Sequence, residues 1–169
     1  MFGEGPPDAR MVLVGEQPGD AEDRAGHPFV GPAGRVLDRA LEAAHIDRST
    51  VFVTNGVKHF KYRVRGKRRI HQRPSAGEVA ACRSWLEAEM ELLEPEVIVA
   101  LGATAAHSLF GRATAVRANR GQLLESPLFA PPVLVTAHPS GVLRERESEA
   151  RHAAMQELAE DLRVAASAA

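Results

Sequence analysis

The sequence has few cysteines, few aromatic residues and no long apolar run. Its one cysteine, Cys82, excludes an internal disulfide framework. No apolar stretch approaches the roughly 20 residues that span a bilayer, and the N-terminal MFGEGPPDAR lacks the cationic and apolar parts of a secretory signal. The chain has 169 residues, 44% of them hydrophobic and 25% charged, as in an ordinary globular protein. We therefore expect a single cytoplasmic domain over residues 1–169.

One segment lacks acidic residues altogether. Residues 58–73, KHFKYRVRGKRRIHQR, contain eight Lys or Arg, two His and no Asp or Glu. The rest of the chain has 13 basic and 22 acidic residues, although the whole has a net charge of only −1. A positive charge focused in this way favours a polyanionic partner. Phe60 and Tyr62 lie in the same segment and are further candidates for stacking on bases.

Four short apolar runs predict β-strands. They are rich in valine, show no polar alternation and are too short to form independent helices, as expected for strands buried on both faces of a parallel sheet. The runs are MVLVG at 11–15, VFVTNGV at 51–57, EVIVALG at 96–102 and PVLVTAH at 132–138.

Helical patterns alternate with these strands. One helix is predicted to begin near Pro32, a favourable first-turn residue, and the next near Ser75, which has capping-box spacing to Glu78. A short helix is expected at 104–110 and a final one around 155–165. The alternation predicts an α/β fold, a three-layer αβα domain with a four-stranded, mainly parallel sheet.

The polar and glycine-rich segments of the chain leave the carboxyl ends of the predicted strands. They are GEQPGDAEDRAGHPFVGPAG, NGVKHF with GKRRIH, LGATA and HPSGVLR. Ligands of open α/β sheets bind at that edge. GEQPGD is neither a Walker loop nor a dinucleotide fingerprint. Its glycines are compatible with backbone amides close to a ligand and equally with an ordinary strand-to-helix turn.

Taken together, these motifs resemble the uracil-DNA glycosylase superfamily. GEQPGD and HPS occur across the superfamily, and KRRIH marks the loop of the UdgX type. The resemblance covers residues 2 to about 145. It implies an α/β glycosylase that removes uracil from DNA, preferably single-stranded, and acts as a monomer. In the UdgX type, the histidine of KRRIH becomes covalently attached to the sugar after the base departs.

The resemblance assigns a role to individual residues. His71 corresponds to the capturing histidine, Glu16 to its supporting carboxylate, and His138 to the histidine that faces uracil. Phe29 corresponds to the ring that stacks on uracil and Asn55 to the amide that reads its edge. The expected catalytic residues are completed by Gln17 and Asp20, and the expected substrate-binding residues by Gly15, Lys67, Arg68, Arg69, Ser140 and Arg144.

These roles are chemically reasonable for the loss of uracil. Departure leaves negative charge on the base, which a preorganised donor such as His138 stabilises, and cationic character on the sugar, which a nearby carboxylate favours. An amide offers the donor and the acceptor that a uracil edge needs. Neutral imidazole is a competent nucleophile near neutral pH. We expect the cations before His71 to grip phosphate and to disfavour its protonation.

The resemblance also implies an iron–sulfur cluster, which this sequence is not expected to complete. The ligands of the family's 4Fe–4S cluster include a CxxC pair upstream of the GEQPGD strand, and no such pair occurs here. His59 and Cys82 match the two downstream positions, but a four-iron cluster takes four ligands. We therefore expect the N-terminal cluster-binding segment to be missing and the cluster to be absent or incomplete.

Three alternatives remain open from the sequence. The chain could be a conventional multi-turnover uracil-DNA glycosylase, or a non-catalytic module that binds uracil-containing DNA. The third is a metal-dependent hydrolase, suggested by seven histidines and several loop acids. No HExxH motif occurs, and His45, His107 and His152 fall on predicted helices or their ends, which disfavours this alternative.

Overall fold

The computed structural model describes residues 1–169 as seven strands and seven helices. In chain order these are β1 Met11–Gly15, α1 Asp20–Ala25, α2 Pro32–Ala43, β2 Val51–Asn55, β3 Tyr62–Arg65, β4 Arg68–His71, α3 Ala76–Leu93, β5 Val97–Leu101, α4 Ala103–Phe110, α5 Val116–Asn119, β6 Leu123–Leu124, β7 Val133–Thr136, α6 Pro139–Arg144 and α7 Ser148–Ala166, with a 3₁₀ turn at Arg48–Thr50. No helix is long and apolar enough to cross a bilayer.

The main sheet has five strands in the order β2-β1-β5-β7-β6. The four predicted strands are all present and parallel to one another. The predicted number of strands is wrong by one, because the two-residue β6 pairs antiparallel to β7 at the edge. A strand of two residues carries no readable periodicity, so sequence patterns cannot predict it.

Both faces of the sheet are covered, which explains the uninterrupted apolar strands. In β1, Leu13 belongs to a core cluster shared with α2, α6 and α7. Its neighbours Val12 and Val14 belong to the opposite cluster, shared with α3 and α4. Successive strand side chains point to opposite faces, so every position of a doubly covered strand is apolar. The three-layer arrangement follows directly from this pattern.

The helices that frame the site begin where the sequence indicates. Pro32 is the first residue of α2. Before α3, Ser75 Oγ accepts a hydrogen bond from the Glu78 backbone N–H, and the Glu78 carboxylate accepts one from the Ser75 N–H, which completes the expected capping box. Pro32 and the Ser75–Glu78 capping box therefore define the first residues of α2 and α3.

The basic segment forms an antiparallel β-hairpin, not a loop. Tyr62 pairs with His71, and Arg65 pairs with Arg68. Gly66 is the first residue of the two-residue turn and has a φ of 59°, a conformation that glycine supplies without strain at this position of a hairpin turn. His71 therefore ends a strand whose partner begins at Tyr62, and the hairpin determines its direction.

A buried ion pair lies below the hairpin. Lys58 Nζ donates to Glu89 Oε2 at 2.6 Å, to Thr54 Oγ1 at 2.8 Å and to the Asn55 carbonyl at 2.8 Å. Both charged side chains are more than 90% buried, and burial lowers the pKa of Lys58 although Glu89 opposes this shift. The pair joins the end of β2 to α3.

Candidate active site

A cleft of about 910 Å³ opens at the carboxyl ends of the parallel strands. It lies over β1 and β5, where the chain's strand order reverses and α/β sheets bind their ligands. The predicted residues that line it are Glu16, Gln17, Asp20, Phe29, Asn55, His71, His138, Ser140 and Arg144. Segments far apart in the sequence thus meet at one edge of the sheet.

Glu16 lies between His71 and a residue that the sequence analysis did not single out. His71 Nε2 is 3.0 Å from Glu16 Oε1, and Thr104 Oγ1 donates a hydrogen bond to Glu16 Oε2. Burial raises the pKa of the Glu16 carboxyl, but the contacts with His71 and Thr104 outweigh it, so that the pKa lies below its ordinary value. Glu16 is therefore an anion at neutral pH, and its Oε1 lies where it would accept a proton from His71 Nε2.

His138 presents a single hydrogen-bond donor to the cleft. Its Nδ1 accepts the Ser140 backbone N–H at 3.1 Å, so the proton of the neutral ring is on Nε2. Burial lowers the pKa of His138 to about 4; Glu16 opposes this shift and Arg144 reinforces it. The side chain is thus neutral at physiological pH and donates through Nε2. Ser140 Oγ accepts a hydrogen bond from Arg144 at 3.2 Å.

Phe29 and Asn55 converge on the backbone of Gly15. A Cβ atom added to Gly15 would lie 2.4 Å from Asn55 Oδ1 and 2.7 Å from Phe29 Cζ. The absence of a side chain at this position brings an aromatic ring and a primary amide together at the end of β1. A ring beside an amide offers stacking and a paired donor and acceptor to a flat, polar-edged ligand.

The backbone at Phe29 is held in an unusual conformation. Its φ is 56°, which costs an aromatic residue on the order of 1–3 kcal/mol. A Cβ at Gly34 would lie 1.7 Å from the Phe29 carbonyl oxygen, so that helix α2 begins in direct contact with this residue. The buried Glu22 carboxylate accepts the Gly31 N–H at 2.7 Å and closes the loop. Such local strain is characteristic of functional sites.

Arg69 is directed at carboxylates. Its guanidinium contacts Asp20 Oδ1 at 2.5 Å and Asp23 Oδ2 at 2.6 Å, and it lies over the rings of Phe60 and Tyr62. Phe60 is buried and stacks on Tyr62. These contacts join the hairpin to α1.

Gln17 closes the base of the hairpin. Its side-chain amide donates to the Gln72 carbonyl at 3.1 Å and the Lys61 carbonyl at 3.3 Å, and accepts the Lys61 N–H at 3.1 Å. Lys61 Nζ also contacts Glu78 of α3 at 2.7 Å. The Gln17 side chain therefore binds the backbone on both sides of the hairpin, and its amide is engaged before any ligand arrives.

Comparison with known proteins matches this chain to one family. The family described as "Uracil DNA glycosylase superfamily" matches residues 2–163. This chain belongs to that superfamily. It is 39% identical over 160 residues to a type-4 uracil-DNA glycosylase of Thermotoga maritima, an alignment covering 94% of this chain and 79% of the relative. It is 35% identical over 148 residues to the type-4 uracil-DNA glycosylase of Pyrobaculum aerophilum, covering 84% and 72% of the two chains.

The two residues expected at superfamily cluster positions do not form a four-ligand site. Cys82 is buried in an apolar cluster with Val57 and Val79, whereas His59 is exposed. No group of three or more His, Cys, Asp or Glu side chains is arranged to hold a metal ion. The residues present do not fit a 4Fe–4S cluster, and none of the chemistry below depends on one.

The cations before His71 differ in where they point. Arg69 reaches α1, whereas Arg68 lies on the other face of β4, and Lys67 is at the exposed turn. Neither Lys67 nor Arg68 lines the cleft.

Sequence reasoning missed Thr104, Glu22 and Lys58. The LGATA segment pointed to the neighbourhood of Thr104, but nothing in the sequence indicated the burial of the other two.

Proposed function

We propose that this protein excises uracil from DNA and becomes covalently linked to the resulting sugar through His71. The contact between His71 Nε2 and Glu16 in the cleft carries the proposal. It is supported by superfamily membership and by the relatives named type-4 uracil-DNA glycosylases. All the groups concerned come from one chain, so we propose that residues 1–169 act as a monomeric domain.

Uracil recognition in this proposal uses Phe29, Asn55 and His138. The target nucleotide leaves the base stack, because its sugar carbon is inaccessible in a duplex. Stacking on Phe29 contributes about 1–3 kcal/mol, and the Asn55 amide pairs with the base edge. His138 donates its Nε2–H to the oxygen on which negative charge develops. A single strand needs no base pair to be broken, so we propose that it is the preferred substrate.

The capture step uses the proton and the lone pair of His71. The glycosidic bond breaks, and its electron pair departs with uracil as an anion. The Nε2 proton of His71 passes to the Glu16 carboxylate, and the electron pair that this N–H bond leaves on Nε2 forms the bond to the sugar carbon. The charges balance, because protonated Glu16 offsets the uracil anion and can then return the proton to it. Glu16 is suited to this role because its lowered pKa keeps it deprotonated beforehand.

The test is incubation with a labelled single strand containing one uracil, followed by heating in SDS and a denaturing gel. We expect a retarded band that is absent with a thymine strand. His71→Ser should abolish the band while permitting uracil release, because water gains access to the sugar. His152→Ser changes an exposed histidine of α7 and should leave the band unchanged.

Three outcomes would contradict parts of the proposal. An adduct that persists in His71→Ser would remove His71 from the capture step. Strand breaks after alkali without a retarded band from the parent chain would indicate a conventional multi-turnover glycosylase. Glu16→Gln should slow capture because the amide cannot accept the proton, and capture at the parental rate would refute its role as the base.

A further inference from the structure

The two faces of the β3–β4 hairpin carry different residues. Directly opposed residues of an antiparallel pair point to the same side, and neighbours along a strand alternate. Tyr62 opposes His71, and Val64 opposes Arg69, so these four residues share one face, from which His71 enters the cleft. The opposite face, here called the outer face, carries Arg63, Arg65, Arg68 and Ile70.

The arginines of the outer face have no acidic partner. Arg63, Arg65 and Arg68 are exposed, and none of them lies within 4.0 Å of a carboxylate oxygen. Arg65 directly opposes Arg68 across the ladder, an arrangement of like charges that destabilises a strand pair. An anion on this face would relieve the repulsion, whereas Arg69 on the other face already has two carboxylates.

We propose that the outer face of the hairpin binds the phosphate backbone of DNA outside the nucleotide held in the cleft. The inference rests on the proposed function for the identity of the polyanion. Arg63 and Arg65 are two residues apart on one strand and so roughly 7 Å apart, a spacing that allows each to contact a different phosphate. The hairpin then has two tasks on two faces: it positions His71 on one and holds the flanking chain on the other.

The proposal is tested by the salt dependence of binding to a labelled thymine single strand. Thymine replaces uracil so that binding is measured without any chemical step. Each phosphate contact contributes about 0.7 to the slope of log affinity against log salt concentration in single strands, so Arg63→Ser/Arg65→Ser should reduce the slope by about 1.4. The matched control is Arg112→Ser/Arg117→Ser, which removes two exposed arginines near the opposite edge of the sheet and should leave the slope unchanged.

A second probe, the same thymine strand paired to its complement, identifies the source of the phosphates. A reduced slope with the single strand places the contact on the strand that enters the cleft, whereas a reduction only with the duplex places it on the complement. An unchanged slope with both probes, in a variant with the parental melting temperature, would overturn the inference. Absence of uracil release by the parent chain would instead refute the proposed function, and the binding measurement would still be informative.

Discussion

Replacing Gly15 with alanine tests whether the Phe29 ring and the Asn55 amide can keep their positions only when residue 15 has no side chain. The new Cβ would lie 2.4 Å from Asn55 Oδ1 and 2.7 Å from Phe29 Cζ. Ordinary contact begins at 3.4 Å, so the amide oxygen must retreat by about 1 Å. Both displaced groups are side-chain ends, and we therefore expect the fold to survive the substitution.

The expected effect on activity follows from that displacement. A misplacement of about 1 Å in a catalytic site can lower the rate about 100-fold, equivalent to about 2.7 kcal/mol of transition-state stabilisation. We expect the second-order rate constant for uracil release from a single strand, measured in a single turnover, to fall by about this factor in Gly15→Ala. Because the contact proposed for Asn55 is with the base edge and not with the sugar, the ratio of covalent adduct to released uracil should remain as in the parent.

The assay is a time course of uracil release under subsaturating conditions, with thermal melting as the check on folding. Gly77→Ala is the matched control, because its added Cβ meets only Ser75 Oγ at 4.0 Å. It should retain the parental single-turnover rate constant. A Gly15→Ala protein that melts like the parent and keeps this rate constant within about threefold of it would refute the reasoning, since a threefold loss is only about 0.7 kcal/mol.

Three further predictions concern groups around the cleft. Thr104→Val removes a donor to Glu16 and should raise the carboxyl pKa, moving the acid limb of the adduct-formation rate to higher pH; an unmoved pH–rate profile would contradict this. Because burial holds the pKa of folded His138 at about 4, against 6.5 ordinarily, the unfolded chain takes up this proton first. As the pH falls from 6.5 to about 4, the free energy of unfolding should therefore decrease. Urea titrations should show a smaller decrease over this range for His138→Ala. Lys58→Met leaves Glu89 buried and unpaired and should lower the free energy of unfolding by about 3–5 kcal/mol, whereas Lys58→Met/Glu89→Leu should recover most of it; equal losses in both variants would show that the pair is not the cause.

The sequence predicted the parallel core strands because each is apolar at every position, and it predicted which segments meet at their carboxyl ends. That is why Glu16, Asn55 and His138 could be expected in one place. The basic segment was different. Its alternation of arginine with Tyr62 and Val64 is too polar to indicate a buried strand, and a two-stranded hairpin gains its order from tertiary contacts.

Those contacts could not be predicted because they join distant residues of ordinary type. Arg69 lies 49 residues from Asp20, and nothing in a run of cations tells which one will turn inwards. Likewise, Lys58 and Glu89 are residue types that are normally exposed. Their burial depends on the geometry of β2 and α3, which the periodicity of either element leaves undetermined.

His71 is held on the β3–β4 hairpin, which is a structural unit distinct from the sheet that carries the rest of the cleft. The other reactive groups are fixed to the ends of sheet strands, whereas His71 arrives on an appendage joined to the body through Gln17, Lys61 and Arg69. Grafting this hairpin onto a glycosylase that lacks it would also require the residues that hold it in place here, such as Gln17 and the carboxylates bound by Lys61 and Arg69. Trimming it would leave a complete base-recognition site with an open path for solvent. If His71 captures the sugar as proposed, single-use capture and repeated turnover would differ by this one hairpin on a shared scaffold.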